Sequence, residues 1–138
     1  MCTAERAAAA LADVDPGRVR GGFAVGLRDG ALLALLASGV TCAEAARLSC
    51  RAIAIEARTG RVVVTVTRGG WLCRRWLDPA FSAHVVTWLS EIRGYGERRP
   101  LLVDGQQRPL TRVGLNAILA RYRERHGARR ARHLRKTA

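Results

Sequence analysis

Residues 27–49 read LRDGALLALLASGVTCAEAARLS, and this stretch contains the clearest core helix of the chain. Its apolar side chains recur at the three- and four-residue spacing of one broad helix face: Leu27, Ala31, Leu32, Leu35 and Leu36. Gly39 then stands where a glycine commonly ends a helix. Thr41 and Glu44 follow with the Thr-x-x-Glu spacing of a capping box. The stretch therefore predicts two helices joined by a tight turn, with Thr41 as a helix cap rather than a catalytic residue.

Three short runs after this stretch predict a small sheet. RAIAIE (51–56), RVVVTVT (61–67) and WLCRRWL (71–77) are rich in β-branched or aromatic residues, and the turns ARTG and RGG separate them. We expect three antiparallel strands, with Trp71 and Trp76 packing on the sheet rather than stacking on bases. Because side chains alternate between the two faces of a strand, Arg74 and Arg75 are not expected to contact one partner.

Further helices are predicted on both sides of these segments. A short helix from Thr3 leads into a linker that reaches about Ala24. After the sheet, Asp78 is the expected cap of a helix that ends before Gly94, with one apolar face formed by Phe81, Val85, Leu89 and Ile92. Thr111 is the expected cap of a helix closed by Gly127, and its inward face consists of Leu115, Ile118, Leu119 and Tyr122. The fold class predicted is α+β, a mainly helical domain with a small three-stranded antiparallel sheet.

Size and charge suggest one domain and a polyanionic partner. The 138 residues fit a single domain, 1–138, with an N-terminal helical stub and linker at 1–24 and a basic segment at 128–138. The formal net charge is +13, and Lys136 is the single lysine. A coding bias could explain arginine in place of lysine, but it does not explain the excess of positive charge. Arginine binds phosphate with a planar fork, so nucleic acid is the expected partner.

Other classes of protein are disfavoured by the same composition. No run approaches the roughly 18 apolar residues of a membrane span, so we expect no membrane contact and a cytoplasmic location. The cysteines lack a CxxC pair and a histidine at zinc-ligand spacing, so we interpret Cys2, Cys42, Cys50 and Cys73 as reduced structural thiols. No metal and no cofactor is expected.

Three segments, in this order, resemble the catalytic domain of the tyrosine recombinases, the phage integrase family. LRDGALLALLASGVTCAEAARLS resembles the first box of the family, VTVTRGGWLCRRWLD its β-hairpin, and RHLRKT (132–137) the start of its second box. The resemblance implies a reaction in which a tyrosine attacks a DNA phosphodiester. Two arginines would stabilise the phosphate, a hairpin lysine would act as the general acid and histidines would assist.

Matching the boxes residue by residue shows where the chain departs from the family. Thr41 takes the place of the first arginine, and Arg68 that of the lysine, although an arginine is a very poor proton donor. In the second box Arg135 falls on the second arginine, and Arg132 takes the place of the first histidine. A shift of one residue in register would put His133 there instead, which on a helix turns the side chain by about 100°. The resemblance therefore implies the catalytic candidates Arg135, Arg132, Arg68 and His133.

The nucleophilic tyrosine of the family would lie beyond RHLRKT, where this chain ends. Tyr95 and Tyr122 are interpreted as structural, so we expect a DNA-binding protein of the integrase type that lacks its own nucleophile. Its partners would be the DNA phosphate backbone and either a full-length recombinase that supplies the tyrosine or a second copy. The expected DNA contacts are Arg68, Arg74, Arg112, Arg121, Arg129, Arg130, Arg132, Arg135 and Lys136.

Two other interpretations remain open. The first is that the densest cationic tract is only a solvated tail, since runs of charge near a chain end are often that. The tract consists of Arg121, Arg123, Arg125, Arg129, Arg130, Arg132, Arg135 and Lys136. Alternatively, the protein could be a non-enzymatic, arginine-rich binder of RNA or DNA. Competition between duplex DNA and RNA for the protein would distinguish this hypothesis from the integrase hypothesis, because the predicted folded domain has no recognisable RNA-reading platform.

Overall fold

A computed structural model describes residues 3–15 and 22–137, with side chains described up to Glu124. The helices are α1 (Thr3–Leu11), α2 (Phe23–Ala37), α3 (Cys42–Arg47), α4 (Pro79–Trp88) and α5 (Arg112–Thr137), and the strands are β1 (Ile53–Ile55), β2 (Val62–Arg68) and β3 (Trp71–Trp76). A 3₁₀ turn at Cys50–Ala52 precedes β1, and a π-helical turn at Leu89–Arg93 follows α4. The mixed helical architecture with one small antiparallel sheet is the predicted α+β class.

Helix α2 lies at the centre of the molecule. From Gly26 to Leu36 it is buried on all sides, with α1 and α4 packed against it, and Leu32, Leu33 and Leu35 have no solvent exposure. A helix that is apolar around its whole circumference is stable only inside a core, and that is where this one lies. α2 ends at Ala37, and Gly39 adopts a φ of 96° in the turn to α3. The predicted core helix and its glycine stop are confirmed.

Helix α1 is part of this core. Its residues Ala7, Ala10 and Leu11 are buried, and it packs on both α2 and α5. The small alanine side chains allow the two helix backbones to approach closely. α2 begins at Phe23, so it includes Ala24, which the sequence places at the end of the linker.

The sheet has the order β1-β2-β3, and both pairings are antiparallel. Val62, Val64 and Val66 face the core, while the alternate residues of β2 face outward. Gly69 and Gly70, with φ values of 56° and 82°, connect β2 to β3, and Arg68 pairs with Trp71 across the turn. Two successive positive φ angles are typical of the tight hairpin turn whose twist matches the strands.

The π-helical turn after α4 corrects the predicted inward face. Val85 and Leu89 are buried as expected, but Ile92 is 39% exposed and Arg93 is buried instead. A π turn holds an extra residue, so the next inward position falls one residue later than in a regular helix. The buried guanidinium of Arg93 donates hydrogen bonds to the carbonyl of Pro100 and to Oε1 of Gln107.

Helix α5 buries the four residues predicted for its inward face, Leu115, Ile118, Leu119 and Tyr122. The hydroxyl of Thr111 accepts a hydrogen bond from the backbone N–H of Gly114, which is the predicted cap. The predicted stop at Gly127 is wrong, because the helix continues to Thr137. A glycine within a helix costs only about 1 kcal/mol, and many good helix formers follow this one.

A buried polar network joins α2 to α5. Oδ1 of Asp29 accepts two hydrogen bonds from Arg28, at 3.0 and 2.8 Å, and Oδ2 accepts one of 2.7 Å from the hydroxyl of Tyr122. Nη1 of Arg28 also donates to the carbonyl of Val103 at 3.3 Å. The network fixes the position of α5 relative to the first half of α2.

None of the described helices is long and apolar enough to cross a membrane.

Candidate nucleic-acid interface

The turn between α2 and α3 is closed by the predicted capping box. The backbone N–H of Glu44 donates to the hydroxyl of Thr41 at 3.1 Å, and the backbone N–H of Thr41 donates to Oε1 of Glu44 at 3.0 Å. The prediction that Thr41 caps a helix is confirmed. The threonine adds no charge to this surface, so any positive charge here comes from neighbouring side chains.

Arg68, at the end of β2, ties the hairpin to this turn. Its Nε donates to Oε2 of Glu44 at 2.6 Å, and its Nη2 donates to Oε1 of Glu44 at 2.8 Å and to the carbonyl of Gly39 at 2.7 Å. These bonds use one edge of the guanidinium and leave Nη1 as the donor available to a phosphate. Arg68 is therefore partly a structural residue, which its position on a strand did not indicate.

The ion pair with Arg68 lowers the pKa of Glu44 from 4.5 to about 2, chiefly through the side-chain hydrogen bonds and with help from Thr41. Because the folded-state pKa lies below the unfolded value, ionised Glu44 stabilises the fold above about pH 4.5, and this contribution is lost as the pH falls toward about 2. Glu44→Gln removes it. We expect the melting temperature of the wild type to fall more steeply than that of Glu44→Gln across this pH range, measured by circular dichroism. If the melting temperatures of the two proteins fell in parallel with pH, the stabilising role of ionised Glu44 would be contradicted.

A cleft of about 540 Å³ lies between α3 and the end of β2. Arg47 and Arg68 stand on its two walls, and Thr65, Thr67 and Gly69 form its strand side. The cleft is an open groove rather than an enclosed cavity. Its two cations can contact phosphate groups.

A second cleft of about 680 Å³ lies on the other side of the same turn, between α3, α1 and α5. Arg112, Asn116 and Arg123 line it from α5. Thr41 and Ala43 line both clefts, so the first turn of α3 forms a ridge between them. The two clefts together, separated by this ridge, are called the arginine clefts below.

Arg75 also lies beside the turn. A Cβ atom at Gly39 would be 3.7 Å from its guanidinium carbon, so the arginine packs directly over the glycine. Strand register explains the arrangement: Arg75 pairs with Val64 on the core-facing side of the sheet, whereas Arg74 pairs with Thr65 on the outer side. The prediction that Arg74 and Arg75 cannot share one partner is confirmed.

The predicted DNA contacts divide into three groups. Arg68 and Arg112 line the arginine clefts. Arg74 and Arg121 are exposed but line neither cleft. The third group has side chains outside those that the structure describes, although its backbone belongs to α5, and it consists of Arg129, Arg130, Arg132, Arg135 and Lys136. The side chain of the catalytic candidate His133 also lies outside the described side chains.

The arginine clefts also contain residues that the sequence did not single out as contacts, namely Arg47, Arg123 and Asn116. Those on α5 had a detectable signal. Arg112, Asn116 and Arg123 are separated by four and seven residues, which places them on one helix face. No sequence pattern indicated Arg47. It faces a strand across the cleft, and the number of residues between a helix and a strand does not tell whether the two meet.

Both tyrosines are held by contacts within the fold. Tyr122 is buried and its hydroxyl is bonded to Asp29, while the hydroxyl of Tyr95 donates to the carbonyl of Val86 at 3.4 Å. A buried phenol at the centre of the protein cannot reach a DNA phosphate. The structural interpretation of Tyr122 is confirmed.

The tryptophans of β3 do not pack as the sequence predicts. Trp71 is 78% exposed, and Trp76 is 46% exposed beneath the guanidinium of Arg61, which lies 5.6 Å from its ring centroid. Burial of Trp71 in the sheet is therefore a wrong prediction. Trp71 directly follows the tight hairpin turn, so its ring lies beyond the edge of the core.

The chain matches no protein-family model, and no curated protein or solved structure is significantly similar to it.

Proposed function

We propose that this chain binds duplex DNA through its phosphates with a fold of the tyrosine-recombinase catalytic type, in DNA integration or recombination, and without a nucleophile of its own. The observation that carries the proposal is the grouping of Arg47 and Arg68 on one side of the α3 ridge and of Arg112 and Arg123 on the other. Four arginines around one turn can contact neighbouring phosphates of a duplex.

Local charge supports the proposal. Among the side chains that line the arginine clefts, Glu44 is the acidic one, and its charge is already balanced by Arg68. The surface therefore keeps a net positive charge from Arg47, Arg112 and Arg123. A polyanion that binds this surface releases its condensed counterions, and that release favours binding.

Binding without cleavage is favoured by three features of the site. Thr41 carries no charge where the recombinase resemblance places an arginine. Arg68 is paired with a carboxylate and is a very poor proton donor at the place of the general acid. Tyr122 is buried in the core. A phosphate in the arginine clefts would be held, and neither Tyr95 nor Tyr122 lines them.

A salt titration with duplex DNA tests the proposal. Phosphate contacts by Arg47, Arg112 and Arg123, whose charges are not balanced by Glu44, at about 0.9 each predict a log–log slope of roughly −2.7 for affinity against salt, with little dependence on base sequence. Fluorescence anisotropy of a labelled duplex measures the slope, and an RNA hairpin of equal charge serves as the competitor. A flat salt response, or displacement by RNA at far lower concentration than by DNA, would overturn the proposal.

A further inference from the structure

The tip of the β2–β3 hairpin exposes two large apolar side chains. Trp71 is 78% and Leu72 is 77% exposed, directly after the tight turn at Gly69 and Gly70. Adjacent residues on a strand point to opposite faces, so the two side chains project on both sides of a narrow tip. Isolated apolar residues are common on protein surfaces, but two such residues at the end of a projecting turn form a wedge.

Arginines accompany this wedge on both faces of the hairpin. Arg75 lies on the same face as Trp71, and Arg74 lies on the same face as Leu72. Residues 62–76 contain no acidic side chain. A partner that matches the hairpin tip therefore presents an apolar surface with dense negative charge on either side of it.

Nucleic acid has this combination, since the faces of its bases lie a few ångströms from its phosphates. A second copy of this chain would bring another formal charge of +13 and would be repelled. An anionic lipid surface has the right charge, but stable interfacial binding needs a larger apolar face than two side chains offer. The hairpin is also continuous with the proposed DNA site, because Arg68 and Gly69 line the first arginine cleft.

We propose that Trp71 and Leu72 form a wedge that inserts between bases of the DNA held in the arginine clefts. This inference rests on the proposed function. An apolar wedge must partly unstack the step that it enters, and unstacking costs less where a base already lacks a partner. The protein should therefore favour duplexes that contain a bulged or mismatched base.

The test compares a fully paired duplex with the same duplex carrying one unpaired base, using the full chain and fluorescence anisotropy. We expect the wild type to bind the bulged duplex about tenfold more tightly. The double variant Trp71→Ala, Leu72→Ala should bind both duplexes equally while keeping the salt slope of the wild type. Both side chains are exposed, so the substitutions should leave the fold intact, which circular dichroism checks.

Phe23→Ala is the matched control. Phe23 is also an exposed aromatic residue, but it begins α2, about 20 Å of helix away from the turn to α3. This variant should keep the preference for the bulged duplex. A 2-aminopurine placed beside the unpaired base should brighten or quench on binding of the wild type and not of the double variant.

The outcomes separate the two proposals. A normal salt slope with no preference for the bulged duplex, or a preference that survives the double substitution, overturns the wedge and leaves DNA binding intact. The absence of salt-dependent DNA binding overturns the proposed function itself. Tryptophan-dependent binding to anionic vesicles, with no response to DNA, would identify the tip as a lipid contact and also overturn the wedge.

Discussion

Asp29→Asn is expected to lower the free energy of unfolding by about 3–5 kcal/mol, because it leaves the buried guanidinium of Arg28 without a counter-charge. Both side chains are buried, so water cannot replace the lost carboxylate. Asparagine has nearly the shape of aspartate, which limits the change to the charge and one acceptor. Urea denaturation followed by circular dichroism measures the effect.

Two controls distinguish this charge effect from other causes. Asp104→Asn makes the same chemical change at the exposed ion pair with Arg108 and should lower the free energy of unfolding much less, because water screens the pair. Tyr122→Phe removes one hydrogen bond to Asp29 and should cost about 1–3 kcal/mol. Equal, small losses in Asp29→Asn and Asp104→Asn would show that the network does not hold α2 and α5 together.

The double variant Arg112→Ala, Arg123→Ala is expected to weaken DNA binding strongly without unfolding the protein. Two phosphate contacts at about 0.9 each should make the log–log salt slope shallower by about 1.8, which is roughly 60-fold in affinity at 0.1 M salt if the value at 1 M is unchanged. Both arginines are exposed on α5, so the thermal stability should change little. Anisotropy titrations at several salt concentrations give both quantities.

Arg58→Ala, Arg98→Ala is the matched control for net charge. Both of these arginines are exposed in loops, and neither lines the arginine clefts. The control loses the same number of positive charges and should keep most of the log–log salt slope, because long-range attraction to DNA contributes less than direct contact with a phosphate. If both double variants lose affinity equally, binding depends on net charge alone and the arginine clefts are not the site.

Much of the fold follows from local patterns. The spacing of leucines in α2, the capping box at Thr41 and Glu44, and the paired glycines after β2 each have one favoured conformation, and the structure contains all three. The π turn after α4 was not predictable in this way. Its extra residue brings Arg93 onto the carbonyl of Pro100, a contact between segments whose distance the sequence does not specify.

The candidate site was only partly predictable. The positive charge and the exposure of arginines on α5 follow from composition and helical periodicity. The pairing of Arg68 with Glu44 joins residues 24 positions apart, and it removes much of the phosphate-binding capacity that Arg68 has as an isolated side chain. The exposure of Trp71 likewise depends on whether another element covers β3, and none of the described elements covers the hairpin tip.

The sequence by itself determined the order of the helices and of the three strands, the cap at Thr41 and the excess of arginine, because each depends on neighbouring residues or on composition. Only the tertiary structure decided which arginines share a surface, that Glu44 neutralises one of them, and that Trp71 and Leu72 stand free at a turn. These properties depend on distances through space, and such distances arise when α2, α3, β2 and α5 pack around one turn.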